Sequence, residues 1–449
     1  MKFYDREEQL KTLREMRELS YSGYSRMTVV TGRRRIGKTT LIKKAFEDEP
    51  YVYLFVGKKS EAVLCGEFCE EFREKTGAYV PPMTVFRDVF RFFMEEGTRR
   101  KFTLVFDEFQ NFLDVNPSVY GDIQNWWDQR QKESHVNMVV SGSVYSLMEK
   151  LFKDRKEPLY GRQDAMVKLQ AFPTEILKQI MQDNAPGYSN DDLLALYTYT
   201  GGIPKYVEYF IDLKATTATK MIDRICREDS PMIEEGRKLL SQEFGKKYGN
   251  YFSILQAISN GRNTQAEIED YMGGKSCGGH LKKLEETYDL IRKVRPFWAK
   301  PGTQTVRYEI SDIFLRFWFR YVEKHQRLIE IGQYPALLRI MKEDYQTYSG
   351  DILERYFRAK MAEEMRYGDI GGWWDPNGYT DKNGNHQQGE LDIVALALDG
   401  KSLNIFEVKR NREKYNETLL QEKIEHFRAK EKQSRGKVIF AGCLSISDM

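Results

Sequence analysis

Gly32-Arg33-Arg34-Arg35-Ile36-Gly37-Lys38-Thr39 decides how this chain is read. It fits the phosphate-binding pattern G-x-x-x-x-G-K-[ST] at every fixed position. The apolar run Met27-Thr28-Val29-Val30-Thr31 precedes it, and the helix-forming Leu41-Ile42-Lys43-Lys44-Ala45-Phe46 follows Thr40. Strand, glycine loop and helix is the order the chemistry needs. Glycines let backbone N–H groups turn inward around a phosphate, and the helix N-terminus adds its partial positive charge. Residues 32–40 are therefore expected to bind a nucleotide. Lys38 would reach the outer phosphates, and Thr39 would offer a hydroxyl to Mg²⁺. The long cations Arg33, Arg34 and Arg35 would flank the phosphates.

About seventy residues downstream, Phe102-Thr103-Leu104-Val105-Phe106 reads as a buried strand and ends in Asp107-Glu108. Adjacent carboxylates at a strand tip suit a nucleotide-hydrolysing site. Asp107 would hold Mg²⁺ through water, and Glu108 would orient and polarise the attacking water. A further strand, Val136 to Ser141, ends in hydroxyls. Ser141 and Ser143 are both candidates to sense the terminal phosphate, and Ser143 is equally placed to cap the next helix.

Composition sets the frame. A chain of 449 residues, 41% hydrophobic, has room for several packed domains. The net charge of +3 gives no global attraction for nucleic acid, so any basic surface must be local. The charged start and the lack of a long apolar run predict a soluble, cytoplasmic protein without membrane contact.

The remaining motifs lie in order along the chain. Pro158-Leu159-Tyr160-Gly161-Arg162 precedes the strand-like Ala165–Leu169, and Gly201-Gly202-Ile203-Pro204 lies within a helix-rich stretch. Three helical segments between 251 and 288 lead to a β-hairpin, Leu290–Val294 with Thr305–Ile310, the order of a winged helix. Between 275 and 307, eight basic residues stand against three acids, a bias suited to phosphate contact. The tail carries Glu354 on a helix, a Gly- and Asn-rich loop over 368–389, then Glu390-Leu391-Asp392 and Phe406-Glu407-Val408-Lys409. Strand alternation puts Glu407 and Lys409 on one face, and Glu390 on the face of Asp392. A salt-bridged strand pair is the other reading of these charges.

Taken together, the loop, the Asp107-Glu108 strand, Ser141-Gly142-Ser143, the Arg162 turn and Gly201-Gly202-Ile203-Pro204 resemble the archaeal-type P-loop ATPase family of the STAND/AAA+ class. The tail resembles a restriction-endonuclease-like domain of unknown function. The resemblance implies an α/β fold. It comprises a P-loop NTPase parallel sheet over 1–173, a helical lid over 174–245, a winged helix over 246–325 and an α/β nuclease-like domain over 326–449. It implies ATP and Mg²⁺ as cofactors. Arg162 would be an arginine finger, in cis or from a neighbouring subunit of a homo-oligomer, or else a surface Arg in a turn. Asp392, Glu407 and Glu354 would hold a second Mg²⁺, with Lys409 stabilising charge. The expected function is ATP hydrolysis coupled to a nuclease-like domain acting on DNA. The alternative is a signalling switch whose C-terminal domains bind DNA or a protein without cutting.

Overall fold

The computed structural model describes residues 1–245, 248–381 and 384–449. Two compact units emerge, Tyr4–Ala171 and Phe172–Met449, the latter with Met1–Phe3.

The first unit is built on five parallel strands, β1 (Arg26–Thr31), β2 (Val52–Phe55), β3 (Phe102–Asp107), β4 (Val136–Ser141) and β5 (Ala165–Lys168). Their order is β2-β3-β4-β1-β5. β4 thus stands between the strand leading into the glycine loop and the strand ending in Asp107. Near-continuous apolar runs make such strands buried on both faces. Met27, Val29, Leu104, Phe106, Met138 and Val140 enter one core. Val30, Val105 and Val139 point the other way, against Leu41 and Ile42 of the loop helix. Phe68, Phe72, Phe86, Phe93 and Phe109 thicken the first core, each buried ring stabilising by about 2–3 kcal/mol relative to exposure. The same core takes up Cys65 and Cys69, the helical pair, as packed thiols.

The second unit starts with five helices between Thr174 and Phe244. Helices Tyr248–Ser259, Gln265–Tyr271 and Gly278–Glu286 follow, with the antiparallel pair β6 (Ile291–Val294) and β7 (Arg307–Ile310). Thr264 and Glu267 form a reciprocal cap at the middle helix. The aromatic run after β7 is core, as its stripe predicts: Phe314, Phe317, Trp318 and Phe319 are all buried. A 30-residue helix, Tyr334–Glu363, leads to β8 (Tyr367–Thr380), β9 (His386–Ala397), β10 (Ser402–Val408) and β11 (Val438–Leu444). This sheet is mixed, ordered β11-β10-β9-β8, with only β10 and β11 parallel. Helix Glu417–Lys430 packs Leu420, Ile424 and Phe427 into its core.

One expectation is corrected here. The stretch 368–389, read as a loop, is mostly the paired hairpin of β8 and β9; residues 382 and 383 lie outside the described ones. The ladder tolerates its turn-forming residues by shifting register three times, between Tyr367 and Asp369, Gly371 and Trp373, and Asp375 and Tyr379. Gly372 leaves room for the Arg358 guanidinium, which would stand 2.6 Å from a Cβ there and would have to shift. A second finding concerns the β6–β7 hairpin. Phe297, in its loop, donates its N–H to Gly372 O at 2.8 Å. Its ring, 4% exposed, joins Trp373, Leu391 and Ile424 in the core of the C-terminal sheet.

Candidate nucleotide site and a second carboxylate cluster

The glycine loop follows β1 directly. Gly32 has φ 149°, and a Cβ on it would stand 2.9 Å from Leu169 O. Gly37, at φ 92°, caps the helix Lys38–Ala45, with open space where its side chain would be. Glycine alone accepts both demands without strain. Between them Ile36 is buried as an anchor and Arg35 adopts a left-handed φ of 71°. Arg33 and Arg34 are half-buried, and Thr40 is exposed at the first helical turn. Lys38 is 7% exposed, its Nζ donating to Gly32 O at 2.9 Å and Arg33 O at 3.1 Å. The cation thus bridges the loop it would serve.

Asp107 ends β3, buried at 5% exposure. Thr39 Oγ1 donates to its Oδ2 at 3.1 Å, and the hydroxyls of Tyr53 and Ser141 donate to it as well. Glu108 N–H adds a bond to Oδ1 at 3.0 Å. Glu108 itself takes a left-handed φ of 54°, turning its carboxylate to accept from Ser143 Oγ at 2.7 Å and from Gln110 Nε2. The two serines therefore divide the two acids: Ser141 holds Asp107, and Ser143 holds Glu108. Ser143 does not cap the following helix with its side chain, whose N-cap is Val144.

Sequence reading missed Tyr53 and Gln110. Tyr53 sits on β2, whose residue Phe55 pairs with Asp107, but nothing in an apolar strand marks one Tyr as a carboxylate partner. Burial, then the nearby Asp107 charge, pushes its phenol well above the ordinary range, so it stays a donor. The residues fit a nucleotide with Mg²⁺. A hydroxyl and a buried carboxylate lie together at the start of a helix, beside a loop with room where Gly37 lacks a side chain.

Arg162 is placed differently from an open catalytic cation. Its guanidinium makes two bonds to Asp128, at 2.9 and 2.7 Å, and donates to Pro158 O at 2.6 Å and Tyr160 O at 3.2 Å. It clamps the turn around Gly161, which has φ 71°.

In the second unit, β9 and β10 bring Asp392 and Glu407 together. Asp392 Oδ2 accepts the Val408 N–H at 2.7 Å, and burial, aided by the Glu407 charge, raises its carboxyl. Glu407 is buried, which alone would raise it. Lys409 at 2.8 Å and Lys423 at 3.1 Å outweigh that and hold it low. Glu354 contacts Arg358, whose guanidinium also donates to Asp392 O at 2.7 Å. Burial still pushes Glu354 up to about 7, with the Asp392 charge adding to it. Glu390 pairs with Arg307 at 2.7 Å.

Asp392, Glu407 and Glu354, the expected metal set, are each engaged by the protein itself: by the Val408 N–H, by Lys409 and Lys423, and by Arg358. Among the described residues no group of three His, Cys, Asp or Glu side chains is arranged to hold a metal ion. The chain's own cations offset only part of this cluster: Lys409 and Lys423 hold Glu407 low, whereas burial keeps Asp392 and Glu354 raised. Lys423, on the helix Glu417–Lys430, was not anticipated; helical spacing with His426 and Lys430 is the signal that could have found it.

The basic bias of 275–307 is also partly spent internally. Lys282 reaches Glu286, Arg292 pairs with Glu309 at 2.8 Å, and Arg307 with Glu390. Among the described residues no helix is long and apolar enough to cross a membrane.

Comparison with known proteins agrees with this geometry. Residues 3–210 match a family model described as an ATPase domain predominantly from Archaea. Residues 318–422 match one described as archaeal and bacterial proteins of unknown function. An uncharacterized protein of Methanocaldococcus jannaschii is 28% identical over 420 residues, 91% of this chain and 87% of its own. The solved Walker-type ATPase of Pyrococcus abyssi superposes with a TM-score of 0.53 at 21% identity, over 71% of this chain and 96% of that one. That likeness is one of fold. Residues 3–210 thus resemble the ATPase domain found predominantly in Archaea, and residues 318–422 resemble the archaeal and bacterial proteins of unknown function.

Proposed function

We propose that the chain binds ATP with Mg²⁺ at its glycine loop, hydrolyses it, and uses nucleotide state to control how its second unit grips DNA. The observation that carries the first part is the pair Asp107 and Glu108, each held by its own serine beside Thr39 and Lys38. Bound ATP·Mg²⁺ would supply the scissile phosphoryl group and the cation that offsets its charge. Lys38 would exchange the carbonyls of Gly32 and Arg33 for phosphate oxygens. Thr39 and, through water, Asp107 would hold Mg²⁺, with Tyr53 and Ser141 fixing the carboxylate. Glu108 would accept the proton of the attacking water, its rotamer set by Ser143 and Gln110. Arg162, clamped on Asp128, stands outside this set.

For the second unit we favour binding without cutting. Its three helices and hairpin follow a winged-helix order. Glu407, moreover, is already neutralised by two lysines, which supports a platform more than a metal-dependent nuclease. Lys38→Ala should abolish ATP binding. Glu108→Gln should keep affinity within about threefold and lower turnover about 10²–10⁴-fold. Equal loss of affinity in both variants would overturn the roles. Cleavage of linear, circular or branched DNA by the whole protein with Mg²⁺ or Mn²⁺ would overturn the platform reading.

A further inference from the structure

The loop between β6 and β7, lying on β8 and the end of helix Glu417–Lys430, leaves a cavity of about 780 Å³. Trp298, Trp373 and Trp374 line it, with Lys300, Lys430 and Lys432. The carboxylates in its wall are already engaged. Asp375 accepts from Lys430 at 2.9 Å and from His426 at 3.1 Å, and Glu431 accepts from Trp373 Nε1 at 3.1 Å. Lys300 and Lys432 are exposed at the rim. Their charge faces outward; Lys430 offsets Asp375, while Glu431 keeps its charge on the neutral Trp373 N–H.

Trp298 is the unusual residue. It holds a left-handed φ of 65°, a costly conformation for a bulky side chain. Its half-buried ring is fixed against Phe427, centroids 6.0 Å apart and nearly parallel. An aromatic plane held rigid by strain and stacking, beside lysines, is what base stacking with phosphate contact requires. The cavity's volume is of single-nucleotide scale.

The same helix continues to the carboxylate cluster. Lys423 stands on Glu407, and His426 and Lys430 stand on Asp375. From Lys423 to Lys430 the helix rises about 10 Å, near the span of three stacked bases at about 3.4 Å each.

We propose that this cavity takes one unpaired base of a single-stranded nucleic acid, stacked on Trp298, with Lys300 and Lys432 on the flanking phosphates. The proposal rests on the reading that the second unit binds nucleic acid, and it narrows that reading to a strand with a free base.

The test is anisotropy of short fluorescent oligonucleotides with the full chain, with and without ATP and Mg²⁺. DNA and RNA single strands, a blunt duplex and a strand containing abasic positions are compared. Single strands should bind about tenfold or more tightly than the duplex, and abasic positions should remove most of that advantage. Trp298→Ala should lower single-strand affinity about tenfold and leave duplex affinity unchanged. Because Trp298 also packs on Phe427, the surface pair Lys300→Glu with Lys432→Glu is the second arm. It should cost at least as much and flatten the salt dependence. Preference for DNA over RNA, or the reverse, identifies the natural strand. Equal binding of duplex and single strand, or indifference to abasic positions and to both variants, overturns this proposal while leaving nucleic-acid binding intact. No binding of any oligonucleotide overturns both readings at once.

Discussion

Glu309→Gln should unfasten the hairpin from the long helix, and acid should do the same to the native protein. Glu309, on β7, lies between Arg355 of helix Tyr334–Glu363 and Arg292 of β6. Arg355 is 9% exposed and also donates to Ile310 O at 3.0 Å. Burial alone would raise Glu309, but the two arginines prevail and bring it down to about 2 from the ordinary 4.5. A carboxyl held low in the fold stabilises above its unfolded pKa and loses that contribution as pH falls towards the folded one. At about 1.4 kcal/mol per unit the shift corresponds to roughly 3 kcal/mol at pH 7, falling to about 1 kcal/mol at pH 3. Removing the charge outright leaves Arg355 buried without its partner, which costs about 3–5 kcal/mol. Urea denaturation of the full chain at pH 7 and at pH 3, native against Glu309→Gln, reads both numbers. The variant should be clearly weaker at pH 7, and the gap should shrink by about 2 kcal/mol at pH 3. A gap of the same size at both values, or none at pH 7, would refute the reasoning.

Two predictions concern the ATPase unit. Ser143→Ala should slow turnover about tenfold while nucleotide affinity stays within about twofold, because it loosens Glu108 and no phosphate contact; a matching loss of affinity in a nucleotide titration would count against it. Arg162→Ala should lower thermal stability by about 1–2 kcal/mol through loss of its clamp on Asp128, with turnover per folded molecule unchanged. Slowed turnover at unchanged stability would return Arg162 to a transition-state role.

Much of the first unit could be read from residues because its signals are local. Gly32, Gly37, Lys38 and Thr39 have fixed spacing, and β1, β3 and β4 are short, near-continuous apolar runs suited to a buried parallel sheet. What could not be read depends on pairing across the chain. Tyr53 meets Asp107 only because β2 lies beside β3 in one register. The Gly-rich stretch after residue 367 becomes strand because β9 supplies partners for Trp373 and Trp374, at the cost of three register shifts. Alternation groups the tail acids by strand face, but that Arg358 and Lys423 reach them from two helices is decided by how those helices dock.

The burial of Phe297 bears on how this protein can be dissected. Its ring belongs to a core otherwise made by residues from Trp373 to Phe427, so the hairpin is completed by chain that follows it by many residues. A fragment ending near residue 325 would bare that ring, and with it Trp298; Arg307 would lose Glu390, and Glu309 would lose Arg355. Such a piece would be sticky where the intact molecule is not. Any affinity for duplex measured on it would describe a surface that the whole protein keeps covered.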